Sequence, residues 1–363
     1  MKIACFITSH GFGHATRTLA LISKLAKTSS LEISIFSTLP DWFFHENLGS
    51  IPFQTIHLKT DVGLVQKTPF EHDLNSTLDQ LDSFLQFENN KRIITLLEKG
   101  EFDFIFCDIS PLGLHLSKKL GIPSCLLENF TWDWIYEEYL TRNNNFKKPI
   151  EQLKGIFQSA NLHIQTTPIC NPAQNAQPIN PIFRPAKKDG SVMRKSLGIK
   201  EEEQVILVTT GGIPQKYSFI NKIKEDHNRF YILTGAFSEY ERGSNFCLLP
   251  HKSAHYFPDL IQSADGVVGK VGYGTVAEVW AAQKPFIAVF RENFRESQPM
   301  RNFINQNISG FEIGDQMFQR GDWIDDVGSF LEINENKRVS LPVNGSDQAV
   351  RLITEWLNHK RVA

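Results

Sequence analysis

The sequence predicts an α/β protein built from two doubly wound, Rossmann-like domains in series. Three observations predict it. Apolar runs of strand length alternate with helical patterns along the chain, the alternation starts afresh after a proline-rich stretch, and glycine turns stand at several strand-to-helix junctions.

At 363 residues the chain exceeds one ordinary core, and 41% hydrophobic with 21% charged residues suits a soluble globular protein. Lys plus Arg (38) against Asp plus Glu (40) gives a net charge of −2, which removes the electrostatic case for nucleic acid as a partner. The five cysteines are odd in number, widely spaced and mostly set in apolar runs. They fit neither a disulfide framework nor a zinc motif, so a reducing cytoplasm is the expected location. The opening MKIACFIT is too short an apolar run for a secretory signal, and no segment reaches the length of a membrane span. Peripheral membrane contact stays open.

Residues 2–8 read as a strand, followed by Ser9-His10-Gly11-Phe12-Gly13-His14-Ala15-Thr16-Arg17 and a helical pattern to residue 27, with Leu19, Ile22, Leu25 and Ala26 on one face. Residues 31–36 read as the next strand. This βαβ opening invites a dinucleotide site, but Thr16 stands where the third glycine belongs, and no acidic residue closes the second strand to hold a ribose. Two histidines and an arginine in a glycine turn point instead to chemistry on a polar or anionic ligand. The plainer alternative makes His10 and His14 helix-entry residues only. Residues 60–99 hold one or two helices, with Leu74, Leu78, Leu81 and Leu85 as core positions. A strand over 102–107 ends in Asp108, at the carboxyl edge where ligands of open α/β sheets gather. A helix (112–120) and a strand (124–127) repeat the rhythm. Residues 128–136 then read as an aromatic loop, whose rings either stack on sugars or lipids or wedge one domain against another. A last strand covers 163–166, and five prolines between 168 and 189 mark a linker.

The second half restarts with a strand (205–209), the turn Thr210-Gly211-Gly212-Ile213, a helix (217–224) and strands at 230–234 and 246–249. A short strand (266–268) enters a turn holding Gly269, Gly272 and Gly274; a helix opens at Thr275 and a buried strand spans 285–290. A glycine turn feeding a helix start leaves backbone N–H groups unpaired beside the positive end of the helix dipole, a seat that suits a diphosphate. Glu278, one turn on, stands where its carboxylate would accept hydrogen bonds from a ribose diol. The alternative is a tight turn and a solvated glutamate. A final helix (347–360) carries Val350, Ile353, Trp356 and Leu357 on one face, its packing partner open. The expected domains are therefore 1–185 and 186–346, with 347–363 as a separate helix.

Thr210-Gly211-Gly212, Asp265, the run Gly272 to Glu278, and Phe294-Arg295-Glu296-Ser297-Gln298 with Asn302 together resemble the GT-B-fold glycosyltransferases of the MurG type. HGFGHATR, NFTWDWIYEEY and KVGYGTVAEVW resemble still more closely the glycosyltransferase-like domain that precedes the sugar kinase in plant-type L-arabinokinases. The likeness covers essentially the whole chain, with 40–100 and 311–345 matching only in rhythm. No kinase segment follows, so a sugar kinase is not expected.

The resemblance implies that nucleotide sugar binds mainly the second domain and acceptor the first, with reaction in the cleft. It makes Glu278 the ribose carboxylate, and Gly274 and Thr275 the diphosphate seat, with Gly272 of the same turn beside them. Glu296 and Gln298 become the region meeting the donor sugar, and Gly211 and Gly212 a second glycine turn. It makes His14 a general base; Asp108, at a strand end, and Asp133 are the rival bases, and Gly11, Gly13, Arg17, Trp132 and Asp133 are expected on the acceptor side. Two features depart from the family: Arg295-Glu296-Ser297-Gln298-Pro299 is not its usual acid-plus-glutamine run, and Lys270 stands where serine is common. Backbone N–H groups with Lys270 or Arg295 would stabilise a leaving diphosphate without a divalent ion. The sequence carries no DxD motif; Asp325-Asp326 is a bare pair. The expected activity is an inverting, metal-independent glycosyltransferase with no cofactor beyond a nucleoside diphosphate sugar, UDP-sugar favoured. Its acceptor is a glycan, a lipid-linked molecule or a small molecule. The alternatives are a nucleotide-sugar epimerase and a non-catalytic sugar-nucleotide-binding module.

Overall fold

The computed structural model describes the whole chain except residues 66–71, 212–215, 237–238, 292–293, 333–341 and 363. Runs that are apolar without alternation become parallel strands covered on both faces. Seven such strands form the first sheet: β1 (Lys2–Ile7), β2 (Glu32–Ser37), β3 (Phe53–His57), β4 (Phe104–Asp108), β5 (Ser124–Glu128), β6 (Leu162–Thr166) and β7 (Gln177–Ile179). All neighbours are parallel, in the order β3-β2-β1-β4-β5-β6-β7. The second sheet comprises β8 (Gln204–Thr209), β9 (Arg229–Ala236), β10 (Glu241–Arg242), β11 (Phe246–Pro250), β12 (Gly266–Lys270), β13 (Phe286–Val289) and β14 (Gly310–Ile313). Its order is β10-β11-β9-β8-β12-β13-β14, with only the short β10 antiparallel. In both sheets the strand order reverses beside the first strand, between β1 and β4 and between β8 and β12. At such a switch point the connections diverge and leave a crevice at the carboxyl ends.

Strand alternation divides each core in two. Ala4 and Phe6 of β1 join one apolar cluster while Ile3, Cys5 and Ile7 join another, and in β8 Ile206 and Val208 face away from Val205 and Leu207.

The chain divides into two compact units. Unit 1 comprises Met1–Ile182, Phe294–Glu296 and Asn344–Ala363; unit 2 comprises Phe183–Asn293 and Ser297–Val343. The short segment 294–296 thus belongs to unit 1 although its chain neighbours belong to unit 2. The last helix, Gly345–Val362, buries Ala349, Val350 and Ile353 in the cluster that holds Leu19 and Leu25, and Lys24 pairs with Asp347 at 2.5 Å.

Four local expectations need correction. The proline-rich stretch contributes β7, which tolerates Pro178 because it pairs on one side only, with β6. The aromatic run is not a loop: Trp132–Glu137 is a short helix with residues 132–136 all buried. Gly269 lies inside β12 rather than in the turn, where a Cβ would come within 2.1 Å of the Thr209 carbonyl oxygen, so only glycine lets β12 approach β8. The helix expected at 217–224 is confined to Ile220–Glu225. Among the described residues no helix is long and apolar enough to cross a membrane.

Candidate active site

In unit 1 the site forms at the β1/β4 switch point. Gly11, at φ 85°, ends the loop after β1 in a left-handed conformation that a side chain would strain, and Phe12–Leu25 starts there as a helix. His14 therefore sits in the first helical turn, 6% exposed, with Arg17 one turn further on the same face. Thr16, which replaces the third glycine of a dinucleotide turn, donates its hydroxyl to the Gly13 carbonyl at 2.7 Å.

Asp108, the last residue of β4, is fully buried and receives four donors or near neighbours. Arg17 grips it side-on, Nε to Oδ2 at 2.8 Å and Nη2 to Oδ1 at 2.6 Å, and Thr18 donates to Oδ2 at 2.7 Å. His14 Nδ1 lies 3.1 Å from Oδ1. Burial alone would raise the Asp108 pKa, but the Arg17 guanidinium and these hydrogen bonds outweigh it and hold the carboxyl below its ordinary range. Arg17 also donates through Nη1 to Asn129 Oδ1 at 2.6 Å, and Asn129 Nδ2 donates to Glu296 Oε1 at 2.9 Å. A buried polar chain thus runs from His14 through Asp108, Arg17 and Asn129 to Glu296.

Asp61, in the loop after β3, was not anticipated. Its Oδ2 accepts from Thr8 Oγ1 at 2.5 Å and Trp132 Nε1 at 2.7 Å, yet burial outweighs both and raises its pKa; the nearby His14 pulls weakly the other way. Trp132 is 1% exposed, edge-on to His10 and Phe130 at 5.2 and 5.4 Å and stacked on Tyr136 at 5.9 Å. Its ring serves the core of unit 1 and offers no open face to a sugar. Asp133, also buried, has its pKa raised by burial against hydrogen bonds from Thr131 and the backbone, and its Oδ1 has no hydrogen-bond partner among the described residues.

Arg295 and Glu296 depart from their expected place in the second domain. Both belong to unit 1, where the Arg295 guanidinium lies 4.3 Å from the Trp134 ring, donates to the Trp134 carbonyl, and pairs with Glu137 at 2.7 Å. The aromatic face and the carboxylate together hold this cation. Gln298 is exposed and bonds within its own helix, Ser297–Asn307, to Asn302 at 2.9 Å and Arg301 at 3.1 Å.

In unit 2 the β8/β12 switch point carries the glycine turns. Gly272 caps the helix Tyr273–Ala281 without a side-chain hydrogen bond, so its first N–H groups lack partners within the helix. Thr275, Glu278 and, at the end of β12, Lys270 are all buried. Gly211 follows β8, its N–H donating to Thr209 Oγ1 at 3.2 Å; Gly212 lies outside the described residues. Glu278 is not solvated: it pairs with Arg184, Nε to Oε1 at 2.6 Å and Nη2 to Oε2 at 3.1 Å, and the guanidinium lies 5.3 Å from the Tyr256 ring. Arg184 carries no sequence signal of its own, standing between Pro181 and Pro185 in the proline-rich stretch that reads as a linker. Asp265 lies at the opposite, amino-terminal edge of the sheet, where it accepts from the Val205 N–H at 2.7 Å and pairs with Arg194 at 2.8 Å. This makes it a brace between β8 and β12. Among the described residues no cluster of three His, Cys, Asp or Glu side chains has the arrangement to hold a metal ion.

No family model matches the chain. Over 98% of its length it is 26% identical to L-arabinokinase of Arabidopsis thaliana, and it spans 34% of that relative's length. Among solved structures, MurG of Acinetobacter baumannii superposes with a TM-score of 0.58 at 13% identity, over 98% of this chain and 99% of that one. The chain has the GT-B fold. Another GT-B likeness is Arabidopsis thaliana UGT89C1 complexed with UDP, with a TM-score of 0.64 at 11% identity over 98% and 99% of the two chains. The fold accounts for the twin strand orders: each Rossmann-like unit of this GT-B chain has one switch point, with His14, Arg17 and Asp108 at the first and Lys270, Gly272 and Thr275 at the second.

Proposed function

We propose that the chain is a glycosyltransferase that moves a sugar from a nucleoside diphosphate sugar, UDP-sugar favoured, to an acceptor hydroxyl, with inversion and without a metal ion. The observation that carries this reading is the His14–Asp108–Arg17 cluster at a sheet switch point. The structural likeness to a UDP-bound protein and the 26% identity to L-arabinokinase support it.

The tautomer of His14 decides its chemistry. Nδ1 lies 3.1 Å from Asp108 Oδ1, which requires a hydrogen on Nδ1, and 2.9 Å from Arg17 Nη2, which requires a lone pair there; the two are exclusive. Arg17 Nη2 carries two hydrogens and gives one to Asp108 at 2.6 Å, so that contact leaves both tautomers open; the general-base reading takes the one with its hydrogen on Nδ1, directed at the carboxylate. Nε2 then keeps its lone pair and accepts the proton of the acceptor hydroxyl, and the imidazolium that forms is stabilised by Asp108. The acceptor oxygen bonds to the anomeric carbon from the face opposite the diphosphate, and the carbon–oxygen bond to the diphosphate breaks with its electron pair going to the leaving group. Backbone N–H groups at the start of the helix Tyr273–Ala281, with Lys270, take up that charge, and Glu278 accepts from the ribose.

A non-catalytic sugar-nucleotide module is the second reading, favoured by the match to only a third of a larger kinase. Incubation with UDP- and GDP-sugars and a panel of acceptors separates these. Transfer releases nucleoside diphosphate in step with glycoside formation, an epimerase changes the sugar without release, and a module does neither.

A further inference from the structure

His14 lies near two buried carboxyls whose surroundings drive them in opposite directions. Burial works against the charge of both, but at Asp108 the Arg17 guanidinium outweighs it and at Asp61 nothing does, so Asp108 stays below the ordinary carboxylate range while Asp61 rises above it. The mechanism above uses Asp108 and gives Asp61 no part. The part assigned to Asp61 here rests on that glycosyltransferase reading.

Asp61 is fixed over the carboxyl end of β1. Thr60 beside it donates to the Ile7 carbonyl at 3.0 Å, and Thr8, which accepts from the His10 N–H at 3.2 Å, donates onward to Asp61 Oδ2. The Trp132 indole N–H donates to the same oxygen. Two donors occupy both lone pairs of Oδ2, so the hydrogen of the neutral carboxyl sits on Oδ1. Oδ1 has no hydrogen-bond partner among the described residues and is not enclosed, although Asp61 as a whole is only 5% exposed. A donor held from behind and left open in front suits a hydroxyl oxygen. A phenol or a simple alcohol has none to spare once its one hydroxyl is at His14, whereas a sugar has several. The strand ends alongside are polar too: Ser9 Oγ lies 3.3 Å from Ser37 Oγ and accepts from Thr38 Oγ1 at 2.5 Å. We propose that Asp61 is a specificity-determining residue whose Oδ1 hydroxyl donates to a second hydroxyl of the acceptor while His14 meets the first, so that the acceptor is a sugar or related polyol.

The experiment measures transfer by the full chain from UDP- and GDP-sugars to methyl glucoside, methyl galactoside and myo-inositol, against hexanol and phenol. The parent uses a polyol and not the simple alcohols. In the monodeoxy series of the best methyl glycoside, loss of the reacting hydroxyl abolishes transfer, and loss of one other lowers kcat/KM roughly 10–100-fold, as for a buried polar group left unpaired. Asp61→Ala lowers the full glycoside to the level of that deoxy analogue and leaves the analogue unchanged. Asp61→Asn keeps the preference, because its amide oxygen still accepts from Thr8 and Trp132 while its N–H donates in place of the hydroxyl. If Asp61→Ala does not fold, Asp61→Ser, too short to reach the acceptor, takes its place with the same collapse. A purely structural role lowers glycoside and analogue alike and leaves their ratio intact. That result, collapse of the ratio in Asp61→Asn, or equal use of hexanol or phenol by the parent overturns the proposal and leaves the glycosyltransferase reading standing. No transfer to any acceptor removes both.

Discussion

Asp108 Oδ1 and His14 Nδ1 stand 3.1 Å apart because β1 and β4 are parallel neighbours in register, with Ile7 opposite Asp108 at their carboxyl ends. The same carboxylate neutralises Arg17, so its loss is first a loss of stability. Asp108→Asn leaves a buried guanidinium short of an acceptor and is expected to destabilise unit 1 by about 3–5 kcal/mol, read by chemical denaturation. The folded pKa of Asp108 is depressed, so this stabilisation is present above the unfolded value of about 3.9 and disappears as the pH falls through the folded value. The parent and variant curves therefore converge in acid. A gap below about 1 kcal/mol at neutral pH, typical of a surface pair, contradicts the assignment.

His14→Ala separates catalysis from binding. Removing a general base lowers turnover by roughly 10²–10⁴-fold while donor affinity and melting temperature hold. Near-normal turnover in this variant, with loss in Asp133→Asn instead, moves the base to Asp133.

Asp61 gives the opposite pH response to Asp108. Burial raises its folded pKa, so its contribution to stability is fully present below the unfolded value and is lost as pH rises through the folded value. An amide oxygen still accepts from Thr8 and Trp132 but never ionises. The melting temperature of Asp61→Asn relative to the parent is expected to rise as the pH climbs above the ordinary carboxylate range. A constant difference as the pH climbs refutes the raised pKa.

The helix Gly345–Val362 tests the composition of unit 1. Ile353 is buried against the cluster that contains Leu19 and Leu25, and Trp356 meets Phe104 edge-on at 5.8 Å. Ile353→Ala should cost about 2–5 kcal/mol, in the range for large-to-small changes in a core. Hydrogen exchange should show the loosening in β1 and the helix Phe12–Leu25 before any change in unit 2.

Central strands such as β1, β4 and β8 are legible in the sequence because both faces are buried and the apolar run is unbroken. The strand β3 is only half-buried, β7 contains a proline and β10 has two residues, so none carries that signal. The same distinction governs the site. His14, Arg17 and Asp108 stand beside recognisable glycine turns or strand ends, so the sequence singles them out. Asp61 follows an unrecognised strand, and Arg184 sits among prolines. Asn129 lies in an aromatic run whose burial on all sides hides any periodicity. Arg295 and Glu296 were tied to the second domain by sequence order, whereas their partners are Trp134, Glu137 and Asn129, more than 150 positions earlier.

The helix Gly345–Val362 also sets an order of events during synthesis. It emerges from the ribosome after all of unit 2, yet it completes the core of unit 1. At about 5–20 residues per second, making unit 2 takes on the order of ten seconds. Throughout that interval the apolar surface around Leu19 and Leu25 waits uncovered while unit 2 has all its residues to fold. The half of the protein made first is therefore the half finished last.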